Sequence, residues 1–149
     1  MADSPQMIFV NLPVADVAKS TAFYEAIGLT KDERFSNEVA SAMQLSDTIV
    51  FMILNPEFFQ TFTPKAIADS HATTEVLICI SRNSRADVDA IVERAAAAGG
   101  RADVRPVQDM GFMYSRAFED PDGHMFEPMF MDMAAAMSAF PEGPAHEPA

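Results

Sequence analysis

One carboxylate stands where ordinary folding does not want one. Glu127 lies inside the apolar run Met125 to Met131, and an ionised side chain there needs a cation, a proton or a polar ligand to offset lost hydration. It follows the stretch Phe118-Glu119-Asp120-Pro121-Asp122-Gly123-His124. Asp120 to Gly123 has the composition of a tight turn: Pro pre-sets φ, Asp bonds its own backbone, and Gly tolerates positive φ. The histidines offer Glu127 little help. His124 precedes it by three residues, so on a strand it faces the other way, and it reads as a turn residue in solvent. His71 reaches inward only if its segment folds over a cavity, and His146 lies in a Pro-rich tail. Further polar groups on apolar segments that can meet a ligand are Asn11, Gln44, Glu75, Tyr114 and Arg116. Arg116 pairs either with an anionic ligand or with one of the chain's many acids.

The elements that must position these residues follow from pattern. Met7 to Val14 is apolar and β-branched, a strand with Pro13 near its end. Asp16 can cap a helix whose Val17, Ser20, Phe23, Tyr24 and Ile27 share one face, stopped at Gly28. Leu29 to Phe35 reads as an exposed strand. Val39–Leu45 and Thr48–Leu54 form a hairpin so uniformly apolar that period-two parity does not say which face is inside. Pro56 to His71 is a connector, bracketed by Asn55-Pro56 and Thr63-Pro64, with Thr63 as a cap and Pro64 at the first helical position. It reads as a linker whose aromatics plug the core, or as a lid. The pattern then recurs: strand Thr74–Ile80, a helix capped by Ser84 and Asp87 and stopped by Gly99-Gly100, a polar edge strand Arg101–Gln108 with Pro106, and a hairpin of Phe112–Phe118 with His124–Met131. Strand-helix-strand-strand-strand, written twice, gives an α+β fold of mostly antiparallel, curled sheets in which two small modules share a core and a cleft.

Bulk properties bound the rest. The chain has 149 residues, enough for one domain: module one over 7–55, connector over 56–72, module two over 73–131, and a mobile tail over 141–149. The net charge of −12 argues against nucleic acid or an anionic membrane as partner. A single cysteine, Cys79, rules out an intrachain disulfide or cysteine-cluster metal site, and its apolar neighbours predict that it is buried and inert. With neither a signal peptide nor an apolar run of membrane-spanning length in view, a cytoplasmic location is expected.

The βαβββ repeat, the closing Phe-x-Asp-Pro-Asp-Gly-His-x-x-Glu hairpin, and the opening Val10-Asn11-Leu12-Pro13-Val14-Ala15-Asp16 with Ser20, Phe23-Tyr24 and Gly28-Leu29 resemble the vicinal oxygen chelate superfamily. That group includes glyoxalase I, extradiol dioxygenases, fosfomycin-resistance enzymes and bleomycin-binding proteins. In its metal-dependent members, the first and last strands of each module supply His and Glu ligands to a divalent cation. The resemblance places Glu127 and Glu75 at two of those positions, as metal ligands or catalytic carboxylates. At the other two stand Phe9 and either Phe51 or Met52. Phe cannot ligate, and a thioether suits a hard cation poorly. A divalent metal ion is therefore the one cofactor brought into play, and it retains two donors where three or more are usual.

Three readings follow. The first is a small-molecule-binding protein with a degraded metal site and an apolar Phe/Met-rich cleft, in which Phe9, Asn11, Met52, Tyr114 and Arg116 touch the ligand. The second is a glyoxalase- or dioxygenase-like metalloenzyme. The third is a metal-free enzyme using Glu75 and Glu127, whose mutual repulsion raises one pKa and makes it a usable acid or base. The resemblance also implies a homodimer.

Overall fold

The computed structural model describes residues 3–139. Module one contains β1 (Ile8–Pro13), α1 (Val17–Ala26), β2 (Thr30–Asp32), a single 3-10 turn, β3 (Ala40–Gln44) and β4 (Ile49–Leu54). They form a sheet in the order β1-β4-β3-β2, with β1 parallel to β4 and the other pairs antiparallel. After α2 (Pro56–Gln60) and an irregular connector, the second module runs through β5 (Ile78–Ser81), α3 (Arg85–Ala97), β6 (Arg101–Ala102), β7 (Gln108–Asp109), β8 (Met113–Ser115), β9 (Phe118–Glu119) and β10 (Met125–Met131). Its sheet has β10 at the centre, parallel to β5 and antiparallel to β8 and β9. The fold is α+β with curled, largely antiparallel sheets. Among the described residues no helix is long and apolar enough to cross a membrane.

Local chemistry fixes these elements. Asp16 Oδ1 accepts from Lys19 N at 3.0 Å and starts α1, and Gly28, at φ 108°, ends it. Ser84 Oγ accepts from Asp87 N at 3.0 Å and starts α3. β8 and β9 are one strand interrupted opposite Pro128. Arg116 N still donates to Pro128 O at 3.3 Å, but proline has no N–H to return the bond. The inner faces of both sheets then share one core. Leu12, Met43, Phe51 and Ile53 of the first sheet meet Ile80, Phe118 and Phe126 of the second, with Phe23 and Tyr24 of α1 and Ile91 and Val92 of α3 among them. Phe118 stacks on Phe126 at 5.2 Å between centroids, and Phe51 meets Phe126 edge-on at 5.5 Å.

Several sequence expectations shift. The strand expected at Thr74–Ile80 begins only at Ile78, so Glu75 precedes it. The connector helix is capped by Asn55, which accepts from Phe58 N at 2.8 Å with Pro56 at the first helical position; Thr63 and Pro64 do not start one. The polar strand Arg101–Gln108 is broken by a bulge in which Asp103 takes φ 52°. Cys79 is exposed rather than buried, because the apolar run around it is covered on one face only. β10 is followed by α4 (Met133–Ala139), built from good helix formers. The proposed mobile tail lies outside the described residues.

The Asp-Pro-Asp-Gly-His turn fastens the modules together. Asp120, 2% exposed, accepts from Tyr24 Oη of α1 and from the N–H groups of Asp122 and His124 at 2.9 and 2.8 Å. Asp122 accepts from Ala15 N at 2.8 Å and from Ser20 Oγ at 3.1 Å. His124 is no solvent residue. Its Nε2 meets Pro13 O at 2.7 Å, and a carbonyl can only accept, so Nε2 carries the proton; Nδ1 lies 3.2 Å from Ser70 Oγ. Gly123 is required twice over. Its φ is 89°, and a Cβ would stand 2.8 Å from the backbone of Ser70.

Burial raises the pKa of Asp120, and burial together with Asp120 raises that of Tyr24 well above 10.0. The native state therefore holds the Tyr24 proton where the unfolded chain has lost it. This contribution is complete below about pH 10 and declines as pH rises further. Tyr24→Phe leaves one Asp120 oxygen without its donor and should cost about 1–3 kcal/mol in urea denaturation. Because the chain has two tyrosines and no tryptophan, absorbance at alkaline pH reads both phenols directly. Native Tyr24 should stay protonated until the chain unfolds, and ionisation at the midpoint of the unfolded chain would contradict this.

Candidate functional site

Side-chain alternation decides what each sheet presents. On β10, Phe126 points into the core, so Met125, Glu127 and Met129 point out of it. On β5, Ile78 and Ile80 pack inward and Cys79 outward, and Cys79 lies directly beside Glu127 in the parallel pair. In module one Asn11 lies beside Met52 in the same way. Phe51 is buried in the core, which resolves the register in favour of Met52 on the outer face, with Phe9 and Asn11.

The two modules superimpose by count. Asn11 precedes the start of α1 by as many residues as Cys79 precedes the start of α3. The position that repeats Phe9 is thus Leu77, and Glu75 lies two residues further out. Phe9 is 58% exposed and Leu77 53%, and neither carries a donor atom for a cation. Glu75 sits in the irregular segment before β5 and lines a different part of the surface, described below.

Glu127 has a partner, and it is a residue read from the sequence only as part of a polar edge strand. Arg105, carried onto the same outer face by the bulge between β6 and β7, places Nη2 3.0 Å and Nε 3.1 Å from Glu127 Oε2. Its Nη2 also donates to Ser115 Oγ at 2.9 Å, and Nη1 to Pro106 O at 2.9 Å. The side chains of Arg105 and Glu127 are 18% and 19% exposed, so the charges compensate each other mostly out of water. The signal available in sequence was a need, an acid in an apolar strand, with no pointer to which of ten bases would answer it. Among the described residues no three His, Cys, Asp or Glu side chains converge as a metal-binding group. The groups beside Glu127 in this chain are the Arg105 guanidinium and, on the neighbouring strand, the Cys79 thiol.

Tyr114 of β8 and Arg116, just after it, lie on the other face of the sheet, against α3. Arg116 contacts Asp103, Asp89 and Glu93 at 2.8, 2.9 and 3.3 Å, and these hydrogen bonds hold its pKa above the usual arginine range. Tyr114 Oη donates to Asp89 at 2.7 Å, and Arg85 stacks over its ring at 4.9 Å while pairing with Asp109. The Arg85 bonds lower the Asp109 pKa to about 2. These contacts tie α3 to the sheet.

A cavity of about 450 Å³ opens where the modules meet, between the β1 edge, the connector and the start of β10. Val10, Leu12, Phe59, Ile67, Ile78 and Met125 give it apolar walls; Asn11, Lys65 and Glu75 are polar residues that also line it. Of the sequence candidates, Asn11 and Glu75 come together here. Glu127 does not join them.

Two βαβββ modules with a carboxylate on the outer face of the last strand define the class: a paired-module protein of the glyoxalase type. Residues 6–127 match the model of the Glyoxalase/Bleomycin resistance protein/Dioxygenase superfamily, and the chain belongs to that family. A hypothetical protein from S. aureus is similar in structure, with 26% identity, a TM-score of 0.72, and coverage of 86% of this chain and 95% of that one. A glyoxalase-related enzyme from Fulvimarina pelagi is 24% identical, with a TM-score of 0.71 and coverage of 84% and 87%. A lactoylglutathione lyase from Agrobacterium tumefaciens shares the fold at 18% identity, with a TM-score of 0.60 and coverage of 89% and 98%. No curated protein matches the sequence significantly.

Cys79 reports on the Arg105–Glu127 pair. Burial raises its thiol pKa first, Glu127 raises it further, and Arg105 lowers it. As the chain's single cysteine, it can be followed by alkylation without interference. At pH 8, Glu127→Gln should speed its reaction with iodoacetamide and Arg105→Ala should slow it. Each change should be roughly two- to fivefold, since thiolate fraction changes tenfold per pKa unit. Identical rates in all three proteins would mean that the pair does not stand beside the thiol.

Proposed function

We propose that the chain is a small-molecule-binding protein of the glyoxalase/bleomycin-resistance type that works without a bound metal. The observation that carries this reading is the Arg105–Glu127 ion pair. The carboxylate at the family's ligand position is already neutralised by a guanidinium, and a cation arriving there would have to displace it. Charge-assisted hydrogen bonds contribute about 1.5–3 kcal/mol each, and a single carboxylate offers a divalent ion little in exchange. Phe9, Leu77 and Met52 stand at the other ligand positions, and they suit an apolar ligand body better than a metal.

The ligand surface in this reading is the pair of outer sheet faces: Phe9, Asn11 and Met52 on one, and Glu127 with Arg105 on the other. Because the inner faces share one core, the outer faces turn away from it, and a homodimer would bring one of each together. Exposure of Phe9, Val76 and Leu77, large apolar side chains on or beside the two first strands, supports that arrangement. The exposed, unpaired Cys79 is at home in a reducing compartment such as the cytoplasm.

A thermal-shift panel of amphipathic aromatic compounds, run in EDTA and again with Zn²⁺, Ni²⁺, Mn²⁺ or Fe²⁺, tests the reading. Hits should appear in EDTA, gain nothing from metal, and be lost in Phe9→Glu and Met52→Lys. Hits that require metal, with one ion bound per chain and none in Glu127→Ala, would overturn it.

A further inference from the structure

The connector between the modules is tied to the rest of the chain by very little. Across residues 61–77 its hydrogen bonds are local. Thr61, Phe62 and Thr63 bond back to α2, Gln60 Nε2 reaches the carbonyls of Thr63 and Lys65, and Ala72 and Thr73 bond to Asp69. The exception among the described residues is Ser70 Oγ, which meets His124 Nδ1 at 3.2 Å. Nε2 of that ring carries the proton, so Ser70 is the donor. Beside this bond the Ser70 backbone rests on Gly123. No residue from 56 to 77 is buried. Phe58 and Phe62 pack on each other at 5.1 Å and are 36% and 63% exposed, so these aromatics plug no core.

The connector also has hollow space against it. Ile67, Ala68 and Ser70 border both the junction cavity of about 450 Å³ and a second cavity of about 170 Å³, which Asp69 and His71 line as well. Residues 74–77, the link to β5, make no hydrogen bond among the described residues and give the segment slack at that end. A segment with no buried side chain and one bond to its surroundings opens locally, at a free energy well below that of global unfolding. Lifting it would uncover the cavity wall. Leu12, 4% exposed, is part of that wall, and so is Asn11. The module junction would stay closed meanwhile. Asp120 with Tyr24, Asp122 with Ser20, and His124 Nε2 with Pro13 all lie outside the connector.

We propose that residues 61–77 form a strap, pinned to His124 at Ser70, whose local opening gives small molecules access to the junction cavity. The strap regulates entry at the Asn11 end of the ligand surface, and in that respect it rests on the function proposed above. Its opening breaks the Ser70–His124 bond and no other hydrogen bond between the connector and the modules.

Thiol labelling of the full chain tests this without any ligand, so its outcome is separate from the fate of the proposed function. In a Cys79→Ser background, Leu12→Cys places a reporter on the cavity wall and Val92→Cys places one in the core away from it. Iodoacetamide should label Leu12→Cys under native conditions, at a rate that low urea hardly changes, while Val92→Cys stays protected until the chain unfolds. Adding Ser70→Ala removes the pin. It should speed labelling of Leu12→Cys roughly three- to tenfold, the equivalent of one hydrogen bond, and leave Val92→Cys unchanged. Should Leu12→Cys not fold, Ile78→Cys reports from the β5 side of the same cavity. Labelling of the cavity wall only at the global unfolding rate, no response to Ser70→Ala, or equal acceleration at Val92→Cys would overturn the proposal.

Discussion

The buried carboxylate of Asp120 is the interaction on which the architecture depends. It sits in a turn of module two and is satisfied by Tyr24 of module one and by the turn's own N–H groups. A buried carboxyl without partners would cost several kcal/mol, so the hairpin is stable only where α1 delivers a phenol. That requirement sets how the modules meet. Once they meet, Asp122 closes on Ala15 and Ser20, and His124 on Pro13 and Ser70. The aromatic core of Phe23, Phe51, Phe118 and Phe126 then closes behind the turn.

The same packing separates the chemistry. Joining the inner faces of both sheets leaves the outer faces as distinct surfaces. Glu127 lies on one, with Arg105 already against it, while Phe9 and Met52 lie on the other. Glu75, carried away by the late start of β5, opens instead onto the junction cavity with Asn11 and Lys65. Within this chain Glu75 lines the junction cavity and Glu127 does not. Burial at the Asp120 turn and compensation at Glu127 answer the same problem, a carboxylate among apolar side chains, with a phenol in one case and a guanidinium in the other.

Much of the fold was legible from local chemistry. Asp16, Ser84, Gly28 and the bonds that Asp120 accepts within its own turn act within a few residues, and their effects are readable in order. What was not legible depends on contacts distant in sequence. Arg105 reaches Glu127 only because a bulge turns it onto the outer face, and nothing local to Arg105 announces that. The outward turn of Cys79 depends on β5 being covered on one face only, which an apolar run does not reveal. His124 looked like a solvent residue because the strand that receives it, through Pro13, lies more than a hundred residues earlier. Parity in the β3–β4 hairpin was open until Phe51 was seen against Phe126.

Arg105 holds Glu127 in this chain, and the proposed function takes that pair to stand in place of a cation. A double-mutant cycle of Arg105→Met and Glu127→Gln, read by urea denaturation in EDTA and again with Zn²⁺, measures that directly. The account predicts a favourable coupling of roughly 1–3 kcal/mol that is the same in both conditions. No coupling in EDTA, together with stabilisation of the wild type by Zn²⁺ that Glu127→Gln abolishes, would contradict it.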